Sequence, residues 1–252
     1  ITAATYRELP AGDRLSREVE CFWSVESKNE MILPPDGTLN LVYAPNGLFV
    51  SGMEHIRLPK GVYLFPLNKW GLRLSRFQNL YGIRLKLFTA RYFKHFSVED
   101  LSLAEVYSCT EWVPLSVHAE LQQSGNLSSI QKPMAAALSE IVDIRGSVEE
   151  VSSAKLNFVL MSYGKCRVEE MADNFGVSRQ SLRCDFKKRF GYSIKSLASI
   201  WQFNYLLSLL GRGYNVLDAI LEAGYYDQAH GTNSCKKFLR MSPGMIVRRK
   251  HE

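Results

Sequence analysis

Two segments near the end of the chain carry amide, guanidinium and ammonium groups in an order that suits contact with DNA. In the first, Gln180 and Arg183 come early, and Lys187 and Lys188 follow. Amide and guanidinium groups pair with base edges, and ammonium groups bind phosphates as point charges. The order predicts a helix that reads bases with its first turns and holds the DNA backbone with its later ones.

The residues around this segment predict the elements that must position it. Ala172 is small where two helices would cross, Gly176 permits a sharp turn, and Ser178 can cap the next helix. Apolar residues spaced by four then give that helix a buried face; these are Leu182, Phe186 and Phe190. The pattern indicates a helix-turn-helix unit.

A second segment repeats the pattern further along. It is NVLDAILEAGYYDQAHGTNSCKKF, residues 215–238, and the apolar stretch SIKSLASIWQFNYLLSLLG, residues 193–211, lies between the two segments. That stretch is long enough for one rigid helix. We therefore expect two reading units joined by a helical linker.

The charge distribution favours the same interpretation. The net charge of the chain is +6, and residues 164–252 hold 15 Lys or Arg against 8 Asp or Glu. The preceding residues are close to neutral. A basic domain joined to a neutral one is typical of polyanion binders, although a solvated basic surface would look similar.

Upstream, residues 20–88 predict an antiparallel β domain. Seven short apolar runs alternate with turn residues, and Ile83, Leu85 and Leu87 point one way along the clearest strand. Pro45-Asn46-Gly47 predicts a hairpin turn. With the helical units behind it, the fold class is α+β, namely a small β sandwich or barrel followed by an all-α domain.

This β domain shows no catalytic pattern. A metal-dependent barrel would need several clustered His, yet only His55 lies among the strands, beside Glu54. We expect no enzyme activity, no cofactor and no metal. Five aromatic residues could line a ligand pocket, although filling the core is their commoner role; they are Trp23, Tyr43, Phe65, Trp70 and Tyr81.

An apolar stripe follows the β domain at spacings of three and four, from Leu127 through Met134 to Ile144. It predicts a helix that packs on its own domain or on the same helix of a second copy. The five scattered cysteines fit a reduced cytoplasmic protein, and no apolar run is long enough for a membrane span.

Taken together, VEEMADNFGVSRQSLRCDFKKRFGYS, EAGYYDQAH and KKFLRMSP resemble the DNA-binding domain of the AraC family of bacterial transcription regulators. The front part, through LPPDGTLNLVYA and YGIRLKLF, is similar to the all-β sensor domain of one AraC-like subgroup. The resemblance implies a sensor or dimerisation domain over residues 1–122, a linker with an amphipathic helix over 123–146, and the DNA-binding domain over 147–252.

The resemblance also implies residue roles. The first recognition helix would run from Ser178 to Phe190 and the second from Asp227, its cap, to Phe238, about 34 Å apart in successive major grooves. Base-facing candidates are Arg179, Gln180, Arg183, Cys184, Gln228, Thr232 and Asn233. Phosphate-binding candidates are Ser178, Lys187, Lys188, Lys236 and Lys237.

The second unit departs from the family pattern. Gly231 and Cys235 stand where members have buried Phe, Arg240 replaces a Gly, and the usual Ile-Ala order is reversed at Ala219-Ile220. Losing a buried Phe costs about 3–5 kcal/mol unless the site collapses. We expect a looser second unit that contributes mainly phosphate contacts, and expect Phe at both positions to raise the melting temperature.

The function implied is an activator-type, sequence-specific regulator that binds double-stranded DNA in the cytoplasm. RNA polymerase, a small-molecule effector and a second copy of the chain are further partners that the resemblance implies, and the membrane is not one. The alternative is an AraC-like interaction protein that reads DNA poorly and titrates a partner.

Overall fold

The computed structural model describes residues 4–13, 15–27, 31–51, 55–66, 72–74, 78–102, 106–143 and 150–250, which form a β domain followed by a helical domain. The strands within these ranges are β1 (Ala4–Pro10), β2 (Val19–Ser27), β3 (Met31–Leu33), β4 (Leu39–Ala44), β5 (Leu48–Ser51), β6 (His55–Leu58), β7 (Gly61–Phe65), β8 (Leu72–Leu74), β9 (Gln78–Leu85) and β10 (Tyr107–Ser108). They make two antiparallel sheets, ordered β1-β2-β9-β4-β7-β10 and β3-β8-β5-β6. The α+β class is confirmed.

Strand β4 lies in the interior of the larger sheet, between β9 and β7. Its residues 41–44 are buried on both faces, because the smaller sheet lies on one side and helices lie on the other. The predicted hairpin at Pro45-Asn46-Gly47 is wrong. The turn forms, with Gly47 at φ +75°, but β4 and β5 belong to different sheets, so the turn carries the chain between layers.

Helices α1 (Leu115–Gln123) and α2 (Leu127–Ile141) follow the β domain, after short 3-10 helices at Leu87–Tyr92, Asp100–Ser102 and Thr110–Trp112. Asn126 caps α2 by accepting from the backbone N–H of Ser129. The apolar stripe of α2 is buried against α1 and the larger sheet. The stripe therefore packs on its own domain. Its described residues are not exposed, so they are not free to pack against the same helix of a second copy. Ile144 lies outside the described residues.

The helical domain comprises α3 (Glu150–Met161), α4 (Val168–Asn174), α5 (Arg179–Phe190), α6 (Ile194–Gly211), α7 (Val216–Glu222), α8 (Gln228–Leu239) and α9 (Pro243–Lys250). Helices α4 and α5 form the first predicted unit, and α7 and α8 form the second. The linker is α6. The Ser193 hydroxyl caps its N-terminus by accepting a hydrogen bond from the N–H of Ser196. At 18 residues it is about 27 Å long.

The two domains meet at the C-terminal end of α5. The hydroxyl of Tyr192 donates to the backbone oxygen of Leu101 at 2.5 Å, and both residues are buried. Gly191, at φ +75°, lies so close to Val98 that a Cβ would stand 2.5 Å from the Val98 oxygen. The β domain therefore contacts the C-terminal end of α5 directly.

Candidate nucleic-acid interface

The first unit, α4 and α5, has the predicted geometry. Gly176 adopts φ +61° in the turn, and the Ser178 side chain accepts a hydrogen bond from the N–H of Ser181. The predicted apolar face of α5 is confirmed, since its buried residues are Leu182, Phe186 and Phe190. This packing sets the rotation of α5 about its own axis, so that its predicted DNA-contacting side chains lie on the exposed side.

All the candidate residues of the first unit are exposed; they are Ser178, Arg179, Gln180, Arg183, Cys184, Lys187 and Lys188. Three of them also have contacts within the chain, namely the cap Ser178, Arg179 and Lys187. Arg179 forms an exposed ion pair with Glu169 at 3.3 Å. The ammonium of Lys187 donates to the Gly191 oxygen and so caps its own helix. Gln180 and Arg183, in the first turns of α5, thus present their polar groups to solvent.

A charged triad of Lys155, Asp185 and Arg189 braces α5 from behind. The Lys155 ammonium lies 2.7 Å from Asp185 Oδ2, and Arg189 Nε donates to Asp185 Oδ1. Burial alone would raise the pKa of the Asp185 carboxyl, but hydrogen bonds from the two cations outweigh burial and lower that pKa below its usual range. The triad joins α3 to the recognition helix.

The second unit, α7 and α8, is built in the same way. Asp227 caps α8 as predicted, with its carboxylate accepting from the His230 N–H at 2.7 Å. Thr232 is half-buried, whereas the remaining candidates of this helix are exposed; they are Gln228, Asn233, Lys236 and Lys237. Lys237 also places its ammonium 4.8 Å from the centre of the Phe238 ring.

The expectation of a loose second unit is wrong at Gly231. A Cβ at this position would lie 2.7 Å from both Cγ1 and Cγ2 of Ile220, which is fully buried. Ile220, the second residue of the reversed Ala219-Ile220 pair, therefore fills the space that a side chain at position 231 would need. Cys235 is also fully buried, and burial raises the pKa of its thiol to about 12. At Gly231, therefore, the second unit is repacked rather than hollow.

The aromatic ligand-pocket candidates do not surround one space. Trp23 and Phe65 are buried between the two sheets, and the Trp23 indole donates to Asn40 Oδ1 at 2.9 Å. Tyr43 and Tyr81 pair on the opposite face of the larger sheet. Trp70 lies outside the described residues. The four that are described contribute to packing, which was the commoner role for such residues.

A cleft of about 250 Å³ instead lies between the two domains. Glu20, Thr38 and Lys86 line it from the β domain, and Asn157 and Trp201 line it from the helices. The sequence alone did not indicate it, because its lining comes from segments that lie far apart in the chain.

The described residues bear on three further features, namely metal binding, membrane spanning and free thiols. No three His, Cys, Asp or Glu side chains there come together as metal ligands would. None of the helices there combines the length and apolar character needed to cross a membrane. All five cysteines have free thiols, and Cys184 is the exposed one. Of the His55 and Glu54 pair, Glu54 lies outside the described residues.

Comparison with known proteins places this geometry in context. Residues 171–249 match the family described as helix-turn-helix domain. The chain is similar to ToxT from Vibrio cholerae, at 11% identity and a TM-score of 0.50 over 98% of this chain and 97% of that one. Another ToxT structure, with an unsaturated fatty acid bound, gives 11% identity and a TM-score of 0.48 over 97% and 94%.

The likeness at a TM-score of 0.50 shows a shared fold over nearly the whole chain. No curated protein matches the sequence. The match to the helix-turn-helix family covers both capped recognition helices described above and the linker helix between them. The chain therefore carries an AraC-type helix-turn-helix domain, the kind of domain with which transcription regulators bind DNA.

Proposed function

We propose that this protein is a sequence-specific transcription regulator that binds two neighbouring half-sites on duplex DNA and acts in the cytoplasm. One observation carries the proposal. Two recognition helices, α5 and α8, are each capped at the N-terminus and buried on one face, and one capped linker helix joins their units. Such a pair suits two major grooves on one side of the duplex.

Base reading in the first unit falls to Gln180 and Arg183. Both side chains are exposed in the first turns of α5, where a recognition helix approaches base edges. The Arg183 guanidinium can bond two acceptors of guanine, and the Gln180 amide can pair with adenine. Lys188, one turn later and exposed, binds phosphate.

The second unit also reads bases, through Gln228 and Asn233. Ile220 fills the core beneath Gly231, so the small residue at that position does not leave this helix unsupported. Lys236 and Lys237 follow as phosphate ligands. The alternative of a protein that titrates a partner depended on a weakened second unit, so we do not propose it.

The β domain would modulate DNA binding through the end of α5. The contacts that Val98 and Leu101 make with Gly191 and Tyr192 link any shift of this domain to the recognition helix. A small-molecule effector in the interdomain cleft would touch both domains at once, and the cleft offers it the ammonium of Lys86, which also donates to the Ser16 oxygen, and the carboxylate of Glu20. RNA polymerase and a second copy of the chain are partners proposed from the family resemblance alone.

The test is a selection of bound fragments by the full chain from a pool of random duplex DNA. We expect enrichment of a defined motif, together with binding that weakens steeply with salt because each phosphate contact releases counterions. Recovered fragments with no shared motif, or binding unaffected by salt, would contradict the proposal.

A further inference from the structure

A cluster of five residues, here called the tyrosine junction, ties the C-terminal end of α7 to two other parts of the helical domain. Its members are Tyr163, Lys165, Gln202, Tyr205 and Glu222. None of them was singled out as a DNA-contacting residue. The second reading unit is attached here to the linker helix and to the loop after α3.

The loop after α3 is pressed against the linker helix in a conformation that ordinary residues avoid. Tyr163 has φ +52°, although it is not glycine, and its ring stacks on Tyr205 with centres 4.3 Å apart. Gly164 follows at φ +71°, and a Cβ there would lie 2.0 Å from the Ala198 oxygen. A strained tyrosine held by a ring stack points to a function for its position.

Three donors from outside α7 converge on its last turn. The Lys165 ammonium donates to the Glu222 backbone oxygen at 3.2 Å, and Gln202 Nε2 donates to the Ala223 oxygen at 3.1 Å. The Tyr205 hydroxyl donates to the Glu222 carboxylate at 3.0 Å, which raises the pKa of Tyr205. A cation at a helix C-terminus also favours the helix dipole.

The hydrogen bonds at the last turn of α7 fix the orientation of this helix because they lie at only one of its ends. The N-terminal end of α7 follows α6 after a short loop, residues 212–215, and its core residues Ala219 and Ile220 provide a pivot. The tyrosine junction holds the other end. Two points of attachment set the direction of α7, and α8 packs on α7, so the junction sets where the second recognition helix lies relative to the first.

We propose that the tyrosine junction determines the spacing between the two DNA half-sites that the protein accepts. This inference depends on the proposed function, and it assigns Lys165 and Tyr205 as positioning residues rather than DNA-contacting ones. Loss of their bonds would let α7 swing about its core pivot, so that α8 could reach half-sites one base pair nearer or farther.

The experiment uses the full chain and a set of duplexes. The motif selected by the wild type is rebuilt with its two halves moved apart or together by one and two base pairs. Tyr205→Phe removes the bond to Glu222 and keeps the ring stack, and Lys165→Met keeps the stem packed against Gly224 and removes the ammonium. Tyr163→Phe is the matched control, since its hydroxyl has no hydrogen bond among the described residues.

We expect the wild type and Tyr163→Phe to share one preferred spacing. The variant that combines Tyr205→Phe with Lys165→Met should bind each isolated half-site as before. Its affinity ratio between the preferred spacing and the other spacings should be about tenfold smaller than that of the wild type. Equal weakening at every spacing, or an unchanged preference, would overturn the inference. A wild type that selects a motif without a fixed spacing would overturn it too and leave the proposed function standing, whereas a wild type that selects no motif contradicts the proposed function itself.

Discussion

The side chain of Ile220 occupies the volume that any side chain at position 231 would need, with three of its carbons within 2.9 Å of the Cβ that Gly231 lacks. Ile220 lies on α7 and Gly231 on α8, so the pair forms the contact between the two helices of the second unit. The large side chain of Ile220 on α7 thus compensates for the missing side chain of Gly231 on α8.

The first prediction concerns this pair. Gly231→Ala should lower the free energy of unfolding by about 1 kcal/mol, because overpacking against Ile220 costs more than the helix propensity that Ala gains. In an Ile220→Ala background the same change should be stabilising. Urea denaturation of the wild type, the two single variants and the double variant gives the coupling free energy between positions 220 and 231. Independent effects would show that the two residues do not share one space.

Gly231→Phe with Cys235→Phe should lower the melting temperature, contrary to the expectation from the sequence.

The second prediction concerns Arg240, which ends α8 in the left-handed region at φ +56°. Its N–H donates to the Lys236 oxygen, so the residue is a C-cap of the type that glycine favours. Arg240→Gly should raise the free energy of unfolding by about 1 kcal/mol. Lys236→Gly is the matched control, because it also replaces a cation by glycine but within the helix, and it should lower the free energy of unfolding by about 1 kcal/mol. A loss of stability for Arg240→Gly would contradict the strain argument.

The third prediction concerns Asp185, held between Lys155 and Arg189. Its folded-state pKa is lowered, so the triad stabilises the protein above the ordinary carboxyl pKa of about 3.9, and that stabilisation is lost as pH falls through the lower folded value. Asp185→Asn should cost about 1–3 kcal/mol at pH 7. The difference between wild type and variant should shrink below about pH 4. A difference that stays constant down to pH 3 would mean that the carboxylate charge is not involved.

The fourth prediction separates base reading from phosphate binding on α5. Arg183→Ala should cost about 1–3 kcal/mol on the selected motif and relax preference at one base pair. Lys188→Ala should weaken binding evenly across sequences and make the salt dependence shallower by about one unit of slope. Fluorescence anisotropy with matched and mismatched duplexes distinguishes the two patterns, and an equal loss for both variants on all duplexes would refute the assignment.

Local patterns made much of the helical domain predictable. The caps Ser178 and Asp227 lie where the sequence predicted them, because a cap depends on residues within one turn. The alternation of Ile83 and Leu85 likewise placed β9. These features depend on spacing along the chain, which a sequence displays directly.

Contacts between distant segments were not predictable. The fit of Ile220 against Gly231 depends on how two helices cross, and one reversed pair of residues gave only a faint sign of it. The turn at residues 45–47 looked like a hairpin because turn chemistry does not reveal which sheet the next strand joins. The approach of Lys165 to Glu222 joins residues 57 apart and has no periodic signature.

The contact between the domains limits few residues of the β domain during sequence divergence. The β domain meets the end of α5 through the carbonyl oxygens of Val98 and Leu101, whereas the helical side supplies a glycine and a tyrosine hydroxyl. Carbonyl oxygens persist through almost any substitution. The β domain can therefore drift in sequence while its attachment to α5 is inherited unchanged, provided that Gly191 and Tyr192 are kept.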